Sequence, residues 1–397
     1  MKLLHVADLH LDSPIRTQAA RNPALGRALR AASRQVLTRL VDAALAEGVQ
    51  AVLFAGDTFD AGVADLRSRA ALATELRRLG NAGIPAVMIQ GNHDALLDLD
   101  RYGPVSDALT LLTPEAPTFR LGDASIHGLG FSAPHVPESL LPRYPAPEAG
   151  RWNVGLMHTS LDGAAGHDPY APCALGDLLA HGYDYWALGH IHKRAEYPGE
   201  GRLAVMPGIP QGRSIRETAG GSATLVELDL DGVRARAMPL ELLRFVRLEV
   251  ELAGVEDQAG RDARLHMALT DAATPGALVA VRLEASGSAA ELGDPAMLQA
   301  QAEAAAEATD GVFLDRLRLR PSVRAAVPGA ADDLAALMRE DAATPGFRDE
   351  VRAAIRDLRE ALPGDIRDTL DDGELDALID EGVALMALRL GAKGETK

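Results

Sequence analysis

Five short motifs over the first half of the chain bring together residues that can bind metal. They are Asp8-Leu9-His10, Gly56-Asp57, Gly91-Asn92-His93-Asp94, Met157-His158 and Gly189-His190-Ile191-His192. They supply two aspartates, one asparagine and several histidines, a ligand set for two divalent metals sharing one carboxylate. Two metals about 3.5–4 Å apart clamp both the attacking and the leaving oxygen of a phosphoester. Imidazole and carboxylate together suit Mn, Fe or Zn better than Mg or Ca, which prefer oxygen alone. Any one motif is common by chance as a cap, a turn or a core-edge histidine. Their joint occurrence in this order is not.

Each motif follows a short apolar run. Leu3–Ala7 leads into Asp8, Ala51–Ala55 into Asp57, and Ala86–Gln90 into Asn92. Val154–Met157 leads into His158, and Tyr185–Leu188 into His190. Such runs read as buried parallel strands that deliver polar side chains at their carboxyl ends. Between them, Ala31–Glu47 and Arg67–Asn81 have the apolar spacing of helices that end at Gly48 and Gly83.

At 397 residues the chain is expected to form two or three domains. The single Cys173 excludes an internal disulfide framework and suits a reducing, cytoplasmic setting. No signal peptide and no membrane span are expected. The net charge of −17 argues against bulk attraction to nucleic acid. Its distribution softens that argument: from Ala331 on there are 17 acidic and 9 basic residues, a net of −8. By contrast, Arg16, Arg21, Arg27, Arg30 and Arg34 lie in a stretch with no acid between Ser13 and Val41. These five are the candidate phosphate-backbone contacts.

Three regions are expected. Residues 1–240 alternate strands and helices, then close with a hairpin in which Ala223–Leu230 and Val233–Met238 flank Asp231-Gly232. Ser132–Arg151 and Asp162–Pro172 read as loops, the second placed to rim the site. Residues 245–322 read β-α-β-α-β, with Asp294 capping a helix that opens at Pro295. Residues 331–397 are helical and acidic. Leu334, Leu337 and Met338, then Val351, Ile355 and Leu358, then Leu375 to Leu390, form apolar stripes that need a partner.

The five motifs resemble the full signature of the calcineurin-like metallophosphoesterase superfamily: D-x-H, G-D, G-N-H-[DE], H and G-H-x-H. The run His5–Pro14 is similar to the opening of the YhaO group of bacterial DNA repair exonucleases, relatives of SbcD-type nucleases. So are Tyr170-Ala171-Pro172-Cys173, Asp184–His192 and Gln211-Gly212-Arg213. The resemblance implies a four-layer α/β/β/α metallophosphoesterase sandwich with a small α/β capping domain and a C-terminal helical segment.

It further implies that Asp57 bridges two divalent metals, with Mn as the expected ion. Asp8, His10 and His192 would complete one site; Asn92, His158 and His190 would complete the other. His93 would assist the leaving group, oriented by a hydrogen bond to Asp94. The implied activity is an Mn-dependent DNA exonuclease with single-strand endonuclease activity in addition. The implied partners are DNA, a second copy of the chain, and an SMC-like coiled-coil ATPase of the SbcC/YhaN type gripped by the C-terminal helices. One departure stands out. Archaeal and eukaryotic relatives carry histidine three residues after the bridging aspartate, whereas this chain has Asp60. Two other classes stay open: a nucleotide or small-molecule phosphodiesterase or phosphatase on the same scaffold, and a non-catalytic subunit of an ATPase complex.

Overall fold

The computed structural model describes residues 1–11, 13–60, 66–99, 101, 103–162, 170–321, 330–361 and 372–394. The chain divides into two compact units: Met1–Ser13 with Leu29–Arg244, and Pro14–Ala28 with Phe245–Lys397.

The first unit is built on two six-stranded sheets. Strands β1 (Lys2–Val6), β2 (Ala51–Ala55), β3 (Ala86–Ile89) and β4 (Leu109–Leu111) run parallel in one of them. The other contains β5 (Thr118–Leu121), β6 (Ala124–Gly128), β7 (Trp152–His158), β8 (Tyr185–Gly189), β9 (Ala195–Pro198) and β10 (Leu203–Met206). Here β6, β7, β8 and β10 are parallel, and β5 and β9 run antiparallel at the two edges. The hairpin expected around Asp231-Gly232 is β11 (Ser222–Asp229) and β12 (Gly232–Pro239). It extends the first sheet, with β11 antiparallel to β1.

Side-chain alternation along the strands explains the layering. Leu3, Leu53, Val87 and Ile89 on one sheet meet Ile126, Val154, Leu156 and Tyr185 on the other in a fully buried seam. The opposite face of the first sheet, through Leu4, Val52, Phe54 and Met88, packs on Val36, Leu37, Leu40, Leu72 and Leu76. Those residues come from the helices Pro23–Glu47 and Leu66–Asn81. Each such fully buried side chain contributes about 1.5–3 kcal/mol. The second sheet's outer face, with Met157, Trp186 and Leu188, is covered by Leu178, Leu141, Phe131 and Tyr144. The fold is the expected α/β/β/α sandwich. Among the described residues its fourth layer is mostly loop, with the short helix Leu175–Ala180 and a 3-10 turn at Leu141–Arg143.

The second unit contains the three-stranded sheet β13 (Leu243–Glu251), β14 (Leu278–Gly287) and β15 (Val312–Pro321), with β14 parallel to β15. Helices Gln258–Ala272 and Pro295–Glu307 pack on it through Leu265, Leu269, Leu298 and Ala302. Asp294 caps the second helix as expected, its carboxylate accepting from the Met297 amide at 2.8 Å. A short helix, Ala289–Leu292, was not read from the sequence; Ser288 and Glu291 close it with reciprocal hydrogen bonds.

The helices Ala330–Ala343, Pro345–Ala354, Arg356–Ala361 and Asp372–Gly394 complete this unit. The last packs on the first of them and on β15. Leu375 is buried and Leu385 lies against the unit's core, while Leu334, Leu337, Leu358 and Met386 are exposed. The Leu390 side chain lies outside the described residues, as do residues 163–169 of the expected loop. No described helix is long and apolar enough to cross a membrane.

Candidate metal centre

All seven expected ligands belong to the first unit, at or just beyond the carboxyl ends of β1, β2, β3, β7 and β8. The strands end there in strained turns. Asp8, His10, Asp57 and His190 have φ of 55°, 44°, 51° and 102°, a region side chains other than glycine rarely adopt. Backbone hydrogen bonds hold the turns together: Asp8 N–H to Gly56 O at 3.1 Å and His10 N–H to Asp57 O at 3.0 Å. The motif glycines leave room for the ligands. A Cβ on Gly56 would lie 2.4 Å from His158 Nδ1, and one on Gly91 would lie 2.2 Å from Asp57 Oδ1.

The ligand atoms converge. Asp8, His10 and His192 present donor atoms within 4.8 Å of one another, and so do Asp8, Asp57 and His158. Asp57 Oδ2 lies 3.3 Å from His158 Nε2 and 4.0 Å from His10 Nε2, between the two halves. Asn92 Oδ1 is 3.0 Å from His158 Nε2, and the His190 ring lies 5.2 Å from that of His158.

The donor set fits a cation. His10 Nδ1 lies 2.8 Å from Asp60 and His192 Nδ1 lies 2.7 Å from Glu217. With these carboxylates on the far side of each ring, the two Nε2 atoms face each other at 3.3 Å on the side of Asp8 and Asp57, where a cation could be held. Burial, and next the charge of Arg213, lower the His10 pKa to about 3, so its ring is neutral. At His158 burial opposes a proton, but the Asp57 charge outweighs it and raises the pKa to about 9. Burial pushes the Asp8 carboxyl up. At Asp57 burial acts in the same direction, but the charge of His158 and its hydrogen bond hold this carboxyl well below the usual range. This buried cluster therefore draws positive charge.

His93 sits beside these atoms with its side chain 39% exposed, ring edge-on to His10 at 4.9 Å. The expected hydrogen bond from His93 to Asp94 is corrected here. Asp94 is 2% exposed and accepts from the amides of Gly91, Thr58 and Phe59. It ties the Asp57 turn to the Asn92 turn. Burial and the neighbouring Asp57 charge raise its pKa to about 7. The carboxylate that meets His93 is Asp60, whose Oδ1 lies 3.0 Å from His93 Nδ1. Burial disfavours a charged His93, yet the Asp60 hydrogen bond and the Asp57 charge raise it to about 9.

Arg213 was singled out only as part of a motif, and Glu217 was missed; the sequence gives no periodic signal for either. Of the five candidate DNA-contacting arginines, Arg16, Arg21 and Arg27 group with the second unit and Arg30 and Arg34 with the first. Arg21, Arg27, Arg30 and Arg34 make no ion pair or hydrogen bond among the described residues. The Arg16 side chain lies outside them.

Residues 1–194 match the calcineurin-like phosphoesterase family. The chain is 33% identical over 234 residues to an uncharacterized metallophosphoesterase, YhaO of Bacillus subtilis, covering 57% of each protein. It is 26% identical over 248 residues to the DNA double-strand break repair protein Mre11 of Sulfurisphaera tokodaii, covering 58% of this chain and 60% of that one. A longer match, 26% over 349 residues, covers 81% of this chain and 75% of the Mre11 of Haloferax volcanii. The chain thus spans little more than half the length of the first two relatives. Residues 1–194, which carry all seven candidate ligands, thus form a calcineurin-like phosphoesterase region.

Proposed function

We propose that this metallophosphoesterase is an Mn-dependent DNA exonuclease that also cuts single strands internally. One observation carries the reading: a half-exposed histidine, His93, stands beside convergent ligand atoms in a chain whose relatives include DNA double-strand break repair proteins. Two divalent ions, one held by Asp8, His10 and His192, the other by Asn92, His158 and His190, with Asp57 shared, would supply an acidified water and charge at both reacting oxygens. The shared role of Asp57 is supported by its carboxylate, which lies between His10 and His158. His93, with Asp60 behind its Nδ1, is placed to hold a proton for the leaving oxygen. Arg21, Arg27, Arg30 and Arg34, free of internal partners among the described residues, support backbone contacts.

The same reading includes a second copy of the chain and an SMC-like coiled-coil ATPase of the SbcC/YhaN type. The exposed Leu334, Leu337, Leu358 and Met386 support the latter.

The test compares Mn-dependent release from linear duplex DNA, bis-p-nitrophenyl phosphate and p-nitrophenyl phosphate. DNA degradation that weakens with salt is the expected result. Hydrolysis of nucleotides or monoesters without action on DNA would overturn the DNA assignment and leave a small-molecule phosphodiesterase.

A further inference from the structure

The motif Gln211-Gly212-Arg213 has no part in the ligand set, yet the fold brings it to the metal centre. Gln211 is 2% exposed and works as a clasp. Its side-chain amide donates to Leu243 O at 2.7 Å, and its oxygen accepts from the Leu242 amide at 2.9 Å. The loop is fixed at its other side by the Ile209 amide, which donates to His192 O at 3.0 Å. Glu217 closes it, with one oxygen on His192 Nδ1 and the other accepting from the Ser214 amide at 3.1 Å. Held in this way, Arg213 lies against the site. Its Nη1 donates to Asp60 Oδ1 at 3.2 Å and to Ser13 Oγ at 3.3 Å, and its Nε lies 4.0 Å from Glu217.

Asp60 Oδ1 is also the atom that meets His93 Nδ1 and His10 Nδ1. Arg213 and His93 therefore flank one oxygen, and the guanidinium stands next to the histidine proposed to serve the leaving oxygen. The Nη2 of Arg213 makes no hydrogen bond among the described residues, and the side chain is 21% exposed. A guanidinium with one arm fixed and the other without a hydrogen-bond partner among the described residues is suited to bind a phosphate oxygen, because its planar fork offers parallel donors. Asp60 and Glu217 offset its charge when no substrate is present, which limits the cost of keeping a cation beside two divalent ions.

We propose that Arg213 is a substrate ligand, its Nη2 binding a nonbridging oxygen of the scissile phosphate while Nη1 stays on Asp60. The inference rests on the phosphoester reading of the site but not on DNA as the substrate. The experiment therefore uses inorganic phosphate and bis-p-nitrophenyl phosphate. Phosphate binding to the Mn-loaded full chain is measured calorimetrically for wild type, R213M, R213K and E217Q, together with metal content and KM for the diester. R213M is expected to keep its metal and to lose roughly 10–100-fold in phosphate affinity, the scale of one hydrogen bond to a charged group. Its KM is expected to rise by a similar factor. E217Q is expected to lose metal affinity instead, because His192 loses its carboxylate. If R213M binds phosphate as wild type does, or if its defect is explained by lost metal, Arg213 is only a clip in the fold and the proposal fails. Should R213M not fold, R213K decides. Lysine keeps the charge but lacks the planar fork whose separate nitrogens reach Asp60 and phosphate from fixed directions, and wild-type phosphate affinity in R213K overturns the proposal. A diesterase that ignores DNA would sink the nuclease reading while leaving this result intact.

Discussion

Asp60 Oδ1 lies 3.0 Å from His93 Nδ1, and the same oxygen lies 2.8 Å from His10 Nδ1. One carboxylate therefore orients an imidazole placed for proton transfer and an imidazole placed to bind metal. Histidine orientation by a carboxylate on the far nitrogen fixes which nitrogen is free for chemistry.

That relationship separates two substitutions. His93→Ala should leave the metal content nearly intact and lower turnover by roughly 10²–10⁴-fold, the scale of a lost acid–base group. Asp60→Asn should lower both turnover and metal affinity, each by roughly 10–100-fold, because it loosens His93 and His10 together. Elemental analysis beside steady-state kinetics gives both readouts. Full activity in His93→Ala would remove its assigned role, and wild-type metal affinity in Asp60→Asn would remove the coupling.

The convergence of donor atoms from Asp8, His10, Asp57, His158 and His192 implies that a bound cation supports the fold as well as the reaction. Chelation should lower the melting temperature of the first unit. A ligand at a hundred times its dissociation constant contributes about 2.7 kcal/mol. Asp57→Ala should reproduce the metal loss without chelator, because its carboxylate lies against both halves. Identical melting curves with and without chelator would contradict this account.

Cys173, 5% exposed, offers a reporter near the Tyr170–Cys173 segment. Burial, and next the charges of Asp177 and Asp162, push its thiol up from 9.0 to about 11. A raised thiol pKa means less thiolate at pH 8, by roughly 100-fold, because each pKa unit is tenfold. Alkylation of the native protein should therefore be at least that much slower than alkylation of the unfolded chain at the same pH. Equal rates would show that the segment opens readily.

Much of the catalytic unit was legible because its strands are short apolar runs that end in chemistry. Ala51–Ala55 is the strand that was read, and Tyr185–Leu188 and Val154–Met157 lie inside strands extended by a residue or two. Helix starts were harder to read. The helix read from Ala31 begins at Pro23, since the Arg- and Gly-bearing stretch before it lacks a clear apolar rhythm. The partner of His93 was misread because Asp94 is its neighbour in sequence. Adjacent side chains leave the backbone in different directions, and Asp94 turns inward to three amides while Asp60 arrives from the preceding turn. Glu217 and Arg213 reach the site from a loop whose path depends on the hydrogen bonds of Gln211 to the backbone of Leu242 and Leu243, which no local pattern encodes.

The C-terminal helices test how much of an apolar stripe is left for a partner. Helix Asp372–Gly394 was expected to need cover, and part of that cover comes from its own unit. Leu375 is 5% exposed, and Leu385 lies against the core formed by β14 and β15. Glu381 pairs with Arg316 of β15, and Asp376 takes Arg352 at 2.8 Å through both oxygens. Arg348 reaches Asp380 at 2.6 Å. The Arg348–Asp380 pair is exposed and contributes little, about 0–1 kcal/mol, whereas Leu375 is buried. Leu375→Ala should then cost about 2–5 kcal/mol, as buried leucine truncations do. Met386→Ala, on a residue 54% exposed, should cost within about 0.5 kcal/mol. Thermal unfolding should show the Leu375→Ala loss in the second unit, with metal content unchanged. In a pull-down with a coiled-coil ATPase, Met386→Ala and Leu337→Ala should weaken capture without altering stability. If Leu375→Ala leaves the melting curve unchanged, the helix is not part of this unit's core. If the exposed-face variants bind as wild type does, those residues are not the partner surface.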